Sequence, residues 1–443
     1  MKSAVLRTAA LVFALSGWSR SAVAEPPAEP VPLIELYGTI VPWLEYGHTT
    51  GATAPGVDQP GRFRIDMGTS NLGFRGGVEL MPDLSVVWQI ESGVQTDGTP
   101  VANTIASRNS QIGVTGGWGT AFIGQWDTPY KWSTLALVNP IRAGFVPDYN
   151  GVLNTPGFGV SAVTTQTGRA GAPPDAAFDR RQGNSVQYWS PTLSGFSVRL
   201  LYSLNEGRTA RSEMATSINP SIFGASVGYD LGPLKLRDAF EAHLDYFGMS
   251  QIGGSPGATT TNRSSTDLGN KVIASYTNAA DGFDTRVTGV FEYLKFGSDD
   301  SMTGAIDSYS RSALYGLVDQ TLFGKHHLWL AVGQALAGSC ELVGGGDCTT
   351  EGLGANEVVL GYIYRVSKST DFFAAGYRIS NNDAASYSTF PPLGGPAAPG
   401  AAVEAFGIGM LYTFSTTLVG SPSPGGTPAS PPPAPAPAPA PNR

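Results

Sequence analysis

Charged residues are scarce in this chain. Asp, Glu, Lys and Arg make up 14% of its 443 residues, against about 25% in an ordinary soluble domain. The formal net charge of −8 argues against a nucleic-acid partner, because nucleic-acid-binding surfaces are basic. Histidine occurs four times, without a nucleophile motif, paired metal ligands, a phosphate loop or a dinucleotide fingerprint. We therefore expect no enzyme, metal or cofactor, although the sequence leaves open a Ser–His pair at the rim of a barrel.

Long apolar runs are also missing. Residues 1–24 have the features of a signal peptide, with Lys2 and Arg7 before an apolar run at 9–15 and small residues at 22–24. That run is too short to cross a bilayer as a helix, and no later stretch has the roughly 18 uninterrupted apolar residues of a membrane helix. Because only helices and closed barrels satisfy every backbone group in lipid, a membrane protein with this sequence must be a barrel.

Cysteine is limited to Cys340 and Cys348, in a Gly-rich segment with no histidine beside it. A structural zinc site needs about four ligands, so a metal is not expected there. In an exported protein the pair predicts one disulfide. Two free thiols are the alternative.

The chain contains several segments in which apolar residues alternate strictly with small or polar ones. In the last such segment Phe406, Ile408, Met410, Tyr412 and Phe414 share one parity, which predicts a strand with one apolar face. Segments 84–91, 196–203 and 358–366 alternate in the same way, with their charges on the polar parity. This pattern fits a barrel with a wet interior, but by itself it also fits a soluble sandwich.

Short turns separate pairs of these segments. They lie at residues 81–83, 116–119, 191–195, 230–233, 278–282, 322–325 and 367–371. Seven short turns and eight longer loops correspond to sixteen strands, and an even number places both termini on one side of the membrane. The sequence therefore predicts an all-β fold, a 16-stranded antiparallel transmembrane β-barrel.

The barrel is expected to span residues 33–414, with a first strand at 33–47. Pro42 predicts a bulge in that strand, because proline cannot donate to the ladder. Residues 25–32 form a Pro-rich leader, and residues 415–443 form a Pro/Ala-rich tail. The tail is expected to be extended and disordered, either as a spacer or as a periplasmic tether.

Five segments resemble the trimeric general porins of Gram-negative outer membranes, especially the neisserial and betaproteobacterial type. They are LYGTI at 36–40, NLGFRG at 71–76, SRNSQIGVTGGWGT at 107–120, NSVQYWSP at 184–191 and the strand that closes on Phe414. The resemblance implies Sec export to the outer membrane with both termini periplasmic, contact with outer-membrane lipid and lipopolysaccharide, and a homotrimer. It also implies a water-filled channel for passive diffusion of small hydrophilic solutes and ions.

Two features depart from the resembled family. That family usually ends on the terminal aromatic, which the assembly machinery reads, whereas residues 415–443 follow Phe414 here. Asn71 stands where the family often has an arginine. The change removes one positive charge from the usual basic cluster and argues against strong anion selectivity.

Residues 129–180 form the longest segment without strand alternation, and loops of this length are often functional. In the resembled family the third loop, at this position, folds into the barrel and narrows the pore opposite arginines on the wall. Trp132, Phe145 and Tyr149 would pack such a loop against the wall, and Asp148 would supply negative charge. An ordinary surface loop is the alternative.

The candidate wall residues follow from parity and from the resemblance. Arg75 opposes apolar neighbours on its strand and so does Arg181, which places both inside, whereas Arg108 is assigned by the resemblance alone. Arg64 joins them if the strand slips in phase near Gly68. The predicted constriction consists of Arg64, Asn71, Arg75, Arg108, Arg181 and Asp148. Arginines facing an acidic loop would create a transverse field that low-dielectric walls focus.

Two other functions remain open at this point. One is a substrate-selective channel for a sugar, phosphate or organic acid, since Trp126, Tyr130 and Trp132 near the third loop could stack on sugars. The other is an exported β-rich adhesin or structural protein without a pore.

Overall fold

The computed structural model describes residues 34–95, 105–141, 151–156, 177–178, 180–204, 219–246, 265–298, 303–346, 348–388 and 397–419. The predicted signal peptide, leader and most of the tail lie outside these residues, as do Phe145, Asp148 and Tyr149. The described strands are β1 Ile34–Ile40, β2 Trp43–Thr50, β3 Arg62–Asp66, β4 Asn71–Met81, β5 Leu84–Gly93, β6 Ser110–Gly116, β7 Gly119–Asp127, β8 Arg181–Trp189, β9 Phe196–Ser203, β10 Ser221–Leu231, β11 Leu234–Tyr246, β12 Ser265–Ala280, β13 Phe283–Ser298, β14 Ile306–Leu322, β15 His326–Ala335, β16 Ser339–Leu342, β17 Ala355–Arg365, β18 Thr370–Asn381 and β19 Ala402–Val419, and the helix α1 is Pro129–Val138.

The strands form one antiparallel sheet that closes on itself. Neighbours in the chain are hydrogen-bonded in order, and β19 pairs with both β1 and β2 to complete the ring. Three barrel strands are broken into two pieces each, namely β1 with β2, β3 with β4, and β15 with β16. The described segments therefore make sixteen strands, and each predicted short turn joins two paired strands. The predicted 16-stranded barrel is confirmed.

Two of the breaks have local chemical causes. Pro42 interrupts the first strand as predicted, and the backbone N–H of Val41 donates to Ser70 Oγ at 2.8 Å instead of to the ladder. In the second strand Gly68 has a φ of +49°, and a Cβ there would lie 2.1 Å from the Trp43 ring. The exposed apolar parity changes across this second break, so Arg64 and Arg75 share the less exposed side, as the predicted phase slip requires.

Most strands present one exposed apolar parity and one buried parity. In β17 Leu360 is 61% exposed, while its neighbours Glu357, Val359 and Ile363 on the other parity are each 1% exposed. In a transmembrane barrel the exposed apolar side faces lipid and the other side faces the lumen. We call the buried parity the lumen side.

The lumen side carries both charged and apolar residues. Buried charged residues occur along the whole barrel, and on β1 to β8 they meet few apolar neighbours on the lumen side. On β12 to β19 many lumen-side residues are apolar and pack into one cluster with residues that follow β7. This lumen-side apolar cluster includes Ile273, Val290, Tyr315, Leu317, Trp329, Ala331, Val359, Ile363, Phe373 and Tyr377 from the wall, and Leu137, Val138, Ile141, Val152 and Leu153 from the segment after β7.

Helix α1 begins directly after β7. Thr128 is its N-cap and accepts a hydrogen bond from the Lys131 N–H at 3.3 Å, and Pro129 occupies the first turn, where its missing N–H costs nothing. The helix contacts β9, β10, β11 and β12. In the part of the chain that the structure describes, no helix has the length and apolar character needed to cross a bilayer.

The last strand runs further than the sequence suggested. β19 continues past Phe414 to Val419, and its final residues pair with β1, where Ile34 is opposite Val419. β19 therefore extends five residues beyond the predicted barrel boundary at residue 414. Apolar alternation fades after Phe414, but the backbone ladder continues because β1 offers a partner for it.

Cys340 and Cys348 are joined by a disulfide, with their Cα atoms 5.5 Å apart. Cys340 lies on β16 and is buried next to Ile306, Tyr309 and Leu353. The bond closes the short segment that follows β16.

Candidate pore constriction

Arg75 forms the first of several ion pairs on the lumen side of the first barrel strands. The pairing of β1 with β4 places Glu35 opposite Arg75. Arg75 Nε donates to Glu35 Oε2 at 2.8 Å and Nη2 donates to Oε1 at 2.9 Å, a bidentate geometry that fixes both side chains. The guanidinium carbon also lies 4.9 Å from the centre of the Tyr37 ring.

Glu91 connects this pair to Arg108. The Tyr37 hydroxyl donates to Glu91 Oε2 at 3.0 Å, and Arg108 Nε donates to Glu91 Oε1 at 2.7 Å. The backbone N–H of Arg108 donates to the carbonyl of Glu91 at 2.9 Å. Arg108 therefore lies on the same wall as Arg75, which parity could not decide.

Asp127, at the end of β7, lies close to two further cations, Arg181 and Lys131. Asn109 Nδ2 donates to Asp127 Oδ2 at 2.8 Å. Arg181 Nη2 and Lys131 Nζ each lie 3.5 Å from Asp127 Oδ1, and Arg181 Nε donates to Asn109 Oδ1. The sequential turn from β7 into α1 brings Lys131 to this position, four residues after Asp127.

Together these side chains form what we call the charged arc. Its members are the cations Arg75, Arg108, Lys131 and Arg181 and the carboxylates Glu35, Glu91 and Asp127. The cations outnumber the carboxylates by one. In each pair the cation is also the more exposed partner, as in Arg108 at 23% against Glu91 at 9%. Arg75 and Arg108 therefore present positive charge to the lumen, whereas Arg181 and Lys131 are largely buried beside Asp127.

The other predicted site residues lie elsewhere. Arg64 pairs with Glu45, at 2.5 Å, and with Asp66, at 3.5 Å, on β2 and β3. Asn71 Nδ2 donates to the Thr69 carbonyl at 3.0 Å, within the break between β3 and β4. Asp148 lies outside the described residues. The structure thus brings Arg75, Arg108 and Arg181 together and places Arg64 and Asn71 in separate contacts.

A second group of lumen-side charges, which the sequence analysis missed, contacts the segment after β7. We call residues 128–141 and 151–156 the third-loop segment. Glu292 on β13 is fully buried; it accepts hydrogen bonds from the Tyr130 hydroxyl at 2.8 Å and from the Asn154 N–H at 2.8 Å. Arg311 Nη2 lies 3.2 Å from Glu292 Oε1. One carboxylate therefore binds both described limbs of this segment.

Two buried cations complete that contact. Lys271 Nζ donates to Asn154 Oδ1 at 2.8 Å and lies 3.8 Å from the centre of the Tyr130 ring. Arg311 Nε donates to the Thr155 carbonyl at 2.8 Å. A single charged residue in a strand does not by itself indicate a partner. The alternation of their strands could nevertheless have placed Lys271 and Glu292 on the lumen side, because each lies on the parity opposite to exposed apolar residues.

Tyr130 keeps its proton in this setting. Burial, and then the neighbouring Glu292 carboxylate, raise the pKa of the Tyr130 phenol well above its ordinary value. The phenol therefore remains a hydrogen-bond donor at neutral and mildly alkaline pH. Apolar contacts add to this attachment, because Leu137 and Val138 of α1 belong to the lumen-side apolar cluster.

Comparison with known proteins identifies the family. A model of the Gram-negative porin family matches residues 8–384. A chitoporin of Vibrio furnissii is 27% identical over 47% of this chain and 50% of its own length. The major outer membrane protein P.IB of Neisseria meningitidis serogroup B is 30% identical over 39% of this chain and 44% of its own length. The chain thus spans about half the length of the curated relatives it matches.

Solved structures agree on the fold. The anion-selective porin from Comamonas acidovorans superposes with a TM-score of 0.64 at 18% identity, over 86% of this chain and 99% of that one. OmpT of Vibrio cholerae in its trimer form superposes with a TM-score of 0.55 at 15% identity, over 86% of this chain and 99% of that one. With the family model matching most of its length and the closed sixteen-stranded barrel, this chain belongs to the Gram-negative porin family.

Proposed function

We propose that this protein is an outer-membrane channel for passive diffusion of small hydrophilic solutes and ions, with a pore that the third-loop segment narrows from within. The observation that carries the proposal is the attachment of this segment to lumen-side charges. Tyr130 and Asn154 bind Glu292, and Asn154 also binds Lys271. A segment bonded to the lumen wall at β12 and β13 occupies part of the cross-section and leaves the passage on the side of the charged arc.

The charged arc gives this passage a modest preference for anions. It has one more cation than carboxylates, and its cations are the more exposed partners. Each guanidinium is nevertheless paired, so the field that reaches the pore is weaker than four free cations would produce. Asn71, which stands where the resembled family often has an arginine, also weakens the preference for anions.

The location of the channel in the outer membrane is inferred from its family and from the apolar side chains exposed on the outside of the barrel. We place the protein in the bacterial outer membrane after Sec export, with its termini periplasmic and its apolar belt in contact with lipid and lipopolysaccharide. OmpT provides a trimeric example of the same fold, and a homotrimer is the assembly we propose here. No catalytic role is assigned to the protein.

The sugar-selective alternative receives less support from the site. Chitoporin is among the relatives, but two of the three aromatic residues considered for sugar stacking are buried, Trp126 at 1% exposure and Tyr130 at 0%. Trp132 is partly exposed, yet its ring is occupied by the guanidinium of Arg199 at 3.2 Å. Membership of the porin family argues against an adhesin without a pore.

Planar bilayers test the proposal directly. Purified protein should produce ohmic single-channel steps in potassium chloride, with a reversal potential in a salt gradient that indicates weak anion preference. Chito-oligosaccharides should leave the conductance unchanged. Absence of conductance would contradict the channel, and concentration-dependent block by the sugars would favour the substrate-selective alternative.

A further inference from the structure

Arg199 has no carboxylate partner among the described residues, unlike Arg75, Arg108, Arg181 and Arg311. It lies on β9 and is 9% exposed. Among the described residues no salt bridge or hydrogen bond is formed by its guanidinium, and Nη1 is buried without a hydrogen-bond partner. An unpaired buried cation is costly, so this residue calls for an explanation beyond packing.

Two tryptophan rings lie close to the Arg199 guanidinium. Its central carbon lies 3.2 Å from the centre of the Trp132 ring and 3.8 Å from the centre of the Trp189 ring. Both rings therefore contact the guanidinium directly. Its N–H donors have no acceptor among the described residues, and their fork geometry matches two oxygens of one oxyanion.

A second arginine approaches the same place. Arg237 on β11 lies 6.0 Å from the centre of the Trp132 ring. Its side chain crosses Gly228, where an added Cβ would lie 3.1 Å from Arg237 Nε. Arg237 Nη1 bonds to Asp230, at 2.5 Å, whose side chain is 43% exposed at the turn. Arg237 thus has one exposed carboxylate as its partner and Arg199 has none among the described residues, so the local charge is positive.

We propose that Arg199, supported by Arg237, is a binding site for a small oxyanion, namely phosphate or a carboxylate, between α1 and the turn end of the barrel. This site rests on the proposed channel function and adds a second anion position to it. Arg181 of the charged arc and Trp189, the cross-strand partner of Arg199, stand at opposite ends of β8, about 26 Å apart along an extended strand. An oxyanion that passes the arc would meet Arg199 next, whereas chloride has no pair of oxygens to engage its fork.

The test compares phosphate with chloride in the full-length protein. We expect inorganic phosphate to reduce chloride conductance saturably, and acetate to do so if the site accepts carboxylates as well. Arg199→Lys keeps the charge but loses the fork, so it should raise the half-blocking phosphate concentration about tenfold, as for one lost charge-assisted hydrogen bond. Arg365→Lys is the matched control, because Arg365 pairs with Asp371 at 3.2 Å near another short turn.

Tryptophan fluorescence provides a readout that does not need a conducting pore. Phosphate should change the emission of the purified wild-type protein saturably, since both rings flank the site, and should have far less effect on the Arg199→Lys variant. Channels that conduct chloride without any block by phosphate or acetate would overturn the site and leave the channel function intact. Equal block in wild type and Arg199→Lys would overturn it too, as would fluorescence that does not respond.

Discussion

Replacing Glu292 by glutamine removes one negative charge from the attachment of the third-loop segment and preserves the shape of the side chain. Glu292 accepts hydrogen bonds from Tyr130 and Asn154 and lies 3.2 Å from Arg311 Nη2. Without its carboxylate, two fully buried cations, Lys271 and Arg311, would lose this counter-charge. Breaking such a buried pair costs about 3–5 kcal/mol.

That cost falls on the attached state of the segment. A loss of about 3–5 kcal/mol corresponds to a roughly 100- to 4000-fold shift in the equilibrium between attached and detached segment. The detached state leaves a wider pore. We therefore expect Glu292→Gln channels to show larger conductance steps and more open-channel noise than wild type in planar bilayers.

The control is Glu404→Gln, which removes a carboxylate bonded to Arg378 at an exposed position on β19. It should leave conductance and noise unchanged, because exposed ion pairs contribute little. Heat-induced mobility shifts on gels show whether each variant still forms a folded barrel. A folded Glu292→Gln protein with wild-type conductance and noise would refute the proposed attachment.

The other predictions concern selectivity, the disulfide and the end of the last strand. Arg108→Ser should shift the reversal potential toward cation selectivity, because one charge about 4 Å from a passing ion is worth roughly 1–4 kcal/mol and the buried partner carboxylate remains. Lys368→Ser, which lies outside the charged arc, should leave the reversal potential unchanged. Equal reversal potentials of wild type and Arg108→Ser would contradict the assignment of Arg108 to the pore. Cys348→Ser should lower the free energy of unfolding by about 2.5 kcal/mol for a loop of this length with unchanged conductance, and an unaltered denaturant midpoint would argue against the disulfide. Truncation after Val419 should preserve heat-resistant oligomers, whereas truncation after Phe414 should weaken them, since it removes strand residues that pair with β1; equal resistance of the two truncated proteins would show that this pairing is dispensable.

The sequence predicted the barrel because its signals are local. Alternation and turn residues depend only on residues a few positions apart in the chain. Pro42 and Gly68 correctly predicted two of the strand breaks. Helix α1 was missed, although Thr128 followed by Pro129 is a common helix start. The end of β19 was also missed, because its last pairs depend on a partner strand far away in the chain.

The charged arc could be predicted only in part. Parity identified Arg75 and Arg181 as inward residues, but the carboxylates that pair with arginines depend on the register between strands. Glu35 meets Arg75 only because β1 and β4 align as they do, and no local pattern encodes that alignment. The same reason explains why Lys271, Glu292 and Arg311 went unrecognised, since their common partner is a segment more than a hundred residues earlier.

The lumen-side apolar cluster makes this barrel partly independent of its lipid surroundings. In the proposed channel, whose third-loop segment lies in the lumen, Leu137 and Val138 belong to one buried cluster with wall residues such as Val290 and Leu317, in the manner of a water-soluble domain. The contribution of that packing does not change with bilayer thickness or detergent, because neither touches it.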